Sequence, residues 1–332
     1  MKETVSFSKD AANLFFHILT GCNLSCRHCY INPDQHGTQS LPIETIQAWL
    51  EIFARRSHAP NVIFLGGEPT LHPDLPEAVH AARDLGYRSI TIDTNGYLFH
   101  DILEKISPQD IDYFSFSLDG ATAAINDRIR GEGSFQKCTA GIRDAVSRGF
   151  HASLIYTVNR DNIHELPLMP SFLEELGIDR FFIQVLGLRG RSAGVMRRDH
   201  RVSRTEWLES IPSTAEAAAD LGIATVYPKV FLELEEPFEC AGQVADNYFV
   251  FPNGRVYRCP LCEDHPVHSL RVEENQLIPT GPINESDLFA LTIPEGCVMN
   301  KLIQPENLTY DDQGDPEYRI ACCLLKEELQ PK

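Results

Sequence analysis

The stretch Leu14-Phe15-Phe16-His17-Ile18-Leu19-Thr20-Gly21-Cys22-Asn23-Leu24-Ser25-Cys26-Arg27-His28-Cys29-Tyr30 runs from an apolar, strand-like segment into a loop with cysteines in a C-x3-C-x2-C pattern. Three thiolates on one short loop can hold three corners of a cubic iron-sulfur cluster and leave the fourth iron open to a small molecule. Zinc is the competing metal. Structural zinc takes four ligands, usually in two pairs, and no second pair lies nearby. His28, between two of the cysteines, is poorly placed to reach the same ion.

Working outward, short β-branched or aromatic runs alternate with amphipathic stretches as far as Gly187, the pattern of repeated βα units around a parallel sheet. The expected strands are Leu14–Leu19, Val62–Leu65, Ser89–Asp93, Tyr113–Ser117, Ala152–Tyr156 and Phe181–Val185. Helical spacing marks Ile43–Arg55, Pro76–Leu85, Phe135–Ser147, Glu165–Leu176 and Arg204–Leu221. The fold class expected is α/β: a partial (βα)6 TIM-like barrel with a small cysteine-rich α+β extension at its C-terminal side.

Barrel active sites form at the C-terminal ends of the strands. Unusual residues collect there. The cysteine loop follows the first strand, Gly66-Gly67-Glu68-Pro69 the second, Thr94-Asn95-Gly96 the third, Leu118-Asp119-Gly120 the fourth, Thr157-Val158-Asn159 the fifth, and Leu186-Gly187-Leu188-Arg189-Gly190-Arg191 the sixth. One Gly-Gly or Asn-Gly would mark only a turn, but six such placements at one rim point to a site.

With these residues assembled, the N-terminal part of the chain, over about 180 residues, resembles the radical S-adenosylmethionine (radical SAM) enzymes. The resemblance implies a 4Fe-4S cluster on Cys22, Cys26 and Cys29, with SAM on the open iron, cleaved reductively to a 5'-deoxyadenosyl radical. Gly66, Gly67 and Glu68 would receive the methionyl ammonium. Asn95, Ser117 and Asp119 would surround the ribose and methionyl groups, and Arg130 would meet the SAM carboxylate. Asn159 and Val185 would border the adenosyl group, with His28 near adenine. Taken singly, Asn95 also suits a turn, Asp119 a helix cap and Arg130 a solvated charge. Cys138, in mid-helix, reads as a buried, inert thiol.

The character of the chain changes near Gly222, dividing it into a barrel over 1–221 and a second module over 222–332. Tyr248–Arg258 reads as a hairpin around Asn253-Gly254, bracketed by Cys240 and Cys259. This spacing resembles the opening of the SPASM and twitch extensions of radical SAM enzymes, which implies an auxiliary 4Fe-4S cluster. Six cysteines in this part of the chain complete one cluster and not two. Cys240, Cys259, Cys262 and Cys322 are the expected ligands, with Cys297 and Cys323 as competitors. A zinc module on Cys259-Pro260-Leu261-Cys262 is the alternative.

Composition narrows the function class. Forty-seven acidic against 29 basic residues give a formal charge of -18, which disfavours a polyanionic nucleic acid as a general partner. The sequence shows neither a signal peptide nor an apolar run long enough for a membrane span. A cytoplasmic location is expected, where ten cysteines argue for metal ligands or reactive thiols rather than disulfides. The resemblance further implies a peptide or small-molecule substrate and a reduced ferredoxin or flavodoxin as electron donor. Pro260 stands where sulfatase-maturing relatives carry an acid, which weighs against that activity. Arg189 and Arg191 are candidates to grip a substrate or SAM carboxylate. A non-catalytic iron-sulfur carrier or redox sensor is the second class of function. Formation of 5'-deoxyadenosine separates it from an enzyme.

Overall fold

The computed structural model describes residue 4 and residues 11–57, 60–98, 101–195, 200–263, 268–281 and 284–332. Its strands, in chain order, are β1 Ala12–His17, β2 Pro60–Leu65, β3 Ser89–Thr94, β4 Tyr113–Ser117, β5 Ala152–Val158, β6 Arg180–Val185, β7 Ala224–Pro228, β8 Phe231–Leu232, β9 Asp246–Val250, β10 Arg255–Tyr257, β11 Leu270–Glu273, β12 Gln276–Pro279, β13 Arg319–Ile320 and β14 Lys326–Leu329. Twelve form one open sheet in the order β12-β11-β10-β9-β1-β2-β3-β4-β5-β6-β7-β14, while β8 pairs with β13.

From β9 through β1 to β7 every neighbouring pair is parallel. The expected βα units are present, and the sheet continues past residue 221. β7 extends it in parallel from Arg180↔Ala224, and β14 closes that edge antiparallel to β7. On the other side β9 lies against β1 in the register Leu14↔Tyr248. The predicted hairpin is present as β9 and β10, with Gly254 at φ 84° supplying the left-handed turn residue.

Buried strands carry apolar residues toward the helices. Phe16, Val62, Phe64, Ile90, Ile92, Phe114, Phe116, Leu154 and Phe181 are fully buried in one core with Trp49, Leu50 and Phe53 of the helix Ile43–Ala54. A second core gathers Phe249, Phe251, Tyr257, Leu261, Cys262, Phe289 and Cys297. Burying a large side chain of this kind contributes about 1.5–3 kcal/mol.

Two sequence expectations shift. The first strand ends at His17 rather than Leu19: Ile18 donates its N–H to Leu65 O, and Leu19 bridges Ser40 as the chain leaves the ladder. Glu165–Leu176 is not one helix. It splits into a 3-10 segment Ile163–Leu168 and the helix Met169–Leu176, because Pro167 and Pro170 lack the amide hydrogens a continuous helix needs. Among the described residues no helix is long and apolar enough to cross a membrane.

Candidate functional site

The inward faces of the strands line a cavity of about 1160 Å³. Residues at alternate positions along the strands, Ile63, Asp93, Ser115, Ile155 and Phe182 among them, form its wall, as the two-residue strand repeat requires. Cys22, Cys26 and Cys29 stand at one part of this wall, and Cys297 and Cys323 at another.

The cysteine loop is held from several sides by the neighbouring strand ends. Gly67 N–H donates to Leu19 O (3.1 Å) and Glu68 N–H to Gly21 O (2.9 Å). A Cβ added at Gly67 would lie 2.2 Å from Gly21 O, so only glycine lets β2 pass this close beneath the loop. Asn95 Nδ2 donates to Asn23 Oδ1 (3.0 Å) and lies 3.7 Å from Cys22 Sγ. Arg27 N–H donates to Ile129 O (3.0 Å), at the end of the helix Ala123–Arg130, and Ser192 N–H to Cys29 O (3.2 Å).

Glu68 is buried beneath this loop, and its carboxylate accepts four bonds. Thr70 N–H, Thr70 Oγ1 and Thr94 Oγ1 reach Oε1, and Asn95 N–H reaches Oε2 at 2.7 Å. Glu68 therefore ties the end of β2 to the end of β3. Burial raises its pKa, and the hydrogen bonds oppose that rise.

Arg130 is not a solvated charge. It is 7% exposed, and its Nε sits 2.6 Å from Oδ2 of the fully buried Asp119. His28 Nε2 lies 3.2 Å from the same oxygen, and burial lowers the imidazole pKa to about 4, keeping the ring neutral. The other Asp119 oxygen accepts Thr157 N–H at 2.7 Å, fastening the ends of β4 and β5 together.

Gly66, Gly67, Glu68, Asn95, Ser117, Arg130 and Val185 all line the cavity with the three cysteines. Asp119 and Asn159 do not. Asp119 stands behind the wall, in contact with Arg130 and His28. The Asn159 side chain is spent on its own turn, with Nδ2 donating to Thr157 O and Oδ1 accepting Asp161 N–H. Arg189 lines the cavity, with its guanidinium paired to Glu263 at 2.7 Å. Cys138 is buried as expected, its pKa raised to about 12 by burial.

The six later cysteines form one neighbourhood. Cys240 and Cys322 lie within electrostatic reach of each other, as do Cys259 and Cys262, and both Cys297 and Cys323 lie within electrostatic reach of Cys259 and Cys322. The four expected ligands Cys240, Cys259, Cys262 and Cys322 sit behind the cavity wall, while the competitors Cys297 and Cys323 face the cavity.

Both groups have the donor chemistry of iron-sulfur sites. Burial raises the Cys22 pKa to about 11 and raises that of Cys26, so both are thiols until a metal displaces their protons. Cys22 is exposed and lines the cavity.

Residues 16–173 match the model of the Radical SAM superfamily. The chain contains a radical SAM domain. The chain is similar to Fe-coproporphyrin III synthase of Methanosarcina barkeri, 33% identical over 199 residues that make up 59% of this chain and 49% of that protein. Pre-heme d1 synthase of Dinoroseobacter shibae is 30% identical over 181 residues, 54% of this chain and 44% of that protein. The chain thus spans about half the length of the curated relatives it matches. In fold, SuiB of Streptococcus suis aligns with 88% of this chain and 67% of its own at a TM-score of 0.63 and 15% identity. The enzyme anSMEcpe with bound AdoMet aligns with 90% of this chain and 84% of its own, at a TM-score of 0.60 and 14% identity. Radical SAM domains use a 4Fe-4S cluster and SAM, and Cys22, Cys26 and Cys29 lie within the matched residues.

The sequence did not single out Asp93 and Lys326. Among the described residues five acidic side chains line the cavity. Glu263, Glu306 and Glu328 pair with Arg189, Arg201 and Arg180, and Glu68 carries its four bonds. Asp93, held by a bond from Ser115, has no cationic partner among the described residues, and burial raises its pKa to about 7. Lys326, on β14, likewise lines the cavity with no acid partner among the described residues, and burial lowers its pKa to about 8. The alternation of Thr91 and Asp93 on β3 could have flagged Asp93. Nothing local flags Lys326, since its place depends on the chain's last strand pairing with β7.

Proposed function

We propose that this protein is a radical SAM enzyme that abstracts hydrogen from an organic substrate held in the cavity between its two cysteine groups. The observation that carries this is the single cavity lined both by Cys22, Cys26 and Cys29 and by Cys297 and Cys323. A 4Fe-4S cluster on the first group, with SAM, supplies the 5'-deoxyadenosyl radical. The protein's part is positioning. Gly66 and Gly67 give SAM close backbone approach, Arg130 presents a cation stiffened by Asp119, and Asn95 fixes the loop at Cys22. Cys240, Cys259, Cys262 and Cys322 would hold an auxiliary 4Fe-4S cluster. A reduced ferredoxin or flavodoxin would supply electrons.

For the substrate we favour a small molecule over a peptide, since relatives at 30% identity or more are named Fe-coproporphyrin III synthase, pre-heme d1 synthase and probable GTP 3',8-cyclase. Of its polar groups, an anionic one would pair with Lys326, and a hydrogen-bond donor or cation would meet Asp93. Unpaired charges are costly inside a cavity and are retained where a ligand pairs with them. Peptide-bound structures of SuiB and anSMEcpe keep a peptide as the second possibility. Protein purified without oxygen and reduced in the presence of SAM is expected to form 5'-deoxyadenosine and to carry about eight irons per chain, two cubes of four. No nucleoside product would favour a non-catalytic carrier, and about four irons with one zinc would sink the auxiliary-cluster assignment.

A further inference from the structure

The loop after β6 touches both cysteine groups at once. Gly190 packs so closely on the backbone of Tyr30 that an added Cβ would fall 2.1 Å from Tyr30 O. The neighbouring Arg189 places its guanidinium 4.9 Å from the centroid of the Tyr30 ring. From there it donates to Pro260 O at 2.5 Å and pairs with Glu263, whose side chain is 2% exposed, at 2.7 Å. Tyr30 follows Cys29, Pro260 lies within the turn carrying Cys259 and Cys262, and Glu263 follows it. One half-buried guanidinium therefore spans the two loops, with Cys259 and Cys323 among the thiols whose charge it feels.

A second path runs in parallel and makes the join rigid. Burial lowers the His17 pKa to about 3, so the ring is neutral and carries one proton. Nδ1 faces Val250 O at 3.0 Å, an acceptor, so the proton is on Nδ1 and Nε2 accepts from Tyr30 Oη at 2.8 Å. The His17 ring stacks on Phe251 at 4.0 Å, and His36 stacks on the same ring at 3.8 Å. His36 Nδ1 accepts Asn32 N–H, so its Nε2–H donates to Glu263 O at 3.2 Å. Tyr30 and Glu263 are thus held by these two histidines on either side of Phe251 as well as by Arg189.

Resting on the two-cluster reading above, we propose that Arg189 is a positioning residue coupling the two cysteine loops: it pins Tyr30 to the Cys259–Cys262 turn and holds one positive charge, balanced by Glu263, between the two clusters. A buried charge next to a cluster sets how readily that cluster accepts an electron, with a cation favouring the reduced form.

The test is an anaerobic potentiometric titration of both clusters, followed by electron paramagnetic resonance, in the cluster-loaded wild type and four variants. Arg189→Gln removes the positive charge that faces the Glu263 carboxylate and is expected to move both midpoints to more negative values. Glu263→Gln leaves the guanidinium unbalanced and is expected to move both to more positive values. The R189Q/E263Q double variant restores neutrality and should return both close to wild type. R189K keeps the charge, so its potentials should stay near wild type, and it still reads if R189Q does not fold. A purely structural Arg189 would give shifts of one sign that track loss of thermal stability. That pattern, a shift at one cluster alone, or no shift overturns the coupling. A wild type with one cluster overturns the two-cluster reading instead.

Discussion

Replacing Gly67 by alanine tests whether the close passage of β2 beneath the cysteine loop sets the position of that loop. The new Cβ would lie 2.2 Å from Gly21 O and 2.5 Å from Thr20 O, both backbone atoms. Carbon and oxygen do not approach within about 3.0 Å, so strand end and loop must separate by roughly 0.8 Å. Overpacking of this kind costs about 1–3 kcal/mol. At about 2–4 °C per kcal/mol for a chain of this size, Tm should fall by roughly 2–12 °C. The functional loss should be larger, because a displacement near 1 Å at a reacting centre costs about 100-fold in rate. The assay pairs thermal unfolding with anaerobic 5'-deoxyadenosine formation at saturating SAM. The control is Gly21→Ala on the same loop, where the nearest atom to the new Cβ is a Leu19 side-chain carbon at 3.9 Å. A Gly67→Ala protein that keeps its iron and forms 5'-deoxyadenosine within about threefold of the Gly21→Ala protein would refute the argument.

Four further outcomes are expected. Arg130→Met should leave the Asp119 carboxylate buried without its cation and cost about 3–5 kcal/mol, read in denaturant unfolding. Lowered SAM affinity should accompany it in equilibrium dialysis, and unchanged stability would show the pair to be dispensable. Asp93→Asn should raise Tm more at pH 8 than at pH 5. The pKa of Asp93 rises to about 7 on folding, so the native state binds the extra proton and wild-type stability declines as pH climbs toward 7. A pH-independent difference between the two proteins would contradict this. Lys326→Met should raise the KM for substrate about tenfold or more while leaving substrate-free SAM cleavage intact, and an unchanged KM would remove Lys326 from recognition. Alanine at Cys240 and Cys259 should lower iron from about eight to about four per chain, whereas Cys138→Ala should leave iron unchanged.

Much of the frame was legible locally. The βα alternation rests on side-chain periodicity, which a strand or helix imposes on its own residues, so the six strands and most helices follow from it. The hairpin was legible because Asn253-Gly254 supplies a backbone conformation that few residue pairs adopt. Glu165–Leu176 misled for a local reason too, since its apolar spacing is helical while Pro167 and Pro170 deny the amide hydrogens.

The sequence by itself determined the C-x3-C-x2-C loop, its place at the end of the first strand, and the ring of glycines and polar residues at the other strand ends. Those are statements about neighbours in the chain, settled by covalent spacing and turn chemistry. Only the tertiary structure decided who meets whom across it. It laid β9 alongside β1, bringing Cys259 and Cys262 into the same molecular neighbourhood as Cys29. It spent Glu68 on Thr70, Thr94 and Asn95, turned Asn159 into its own loop, and gave Arg189 to Glu263. Partners of buried charges and parallel strands are chosen by register and packing over hundreds of residues, and local pattern carries no record of that choice.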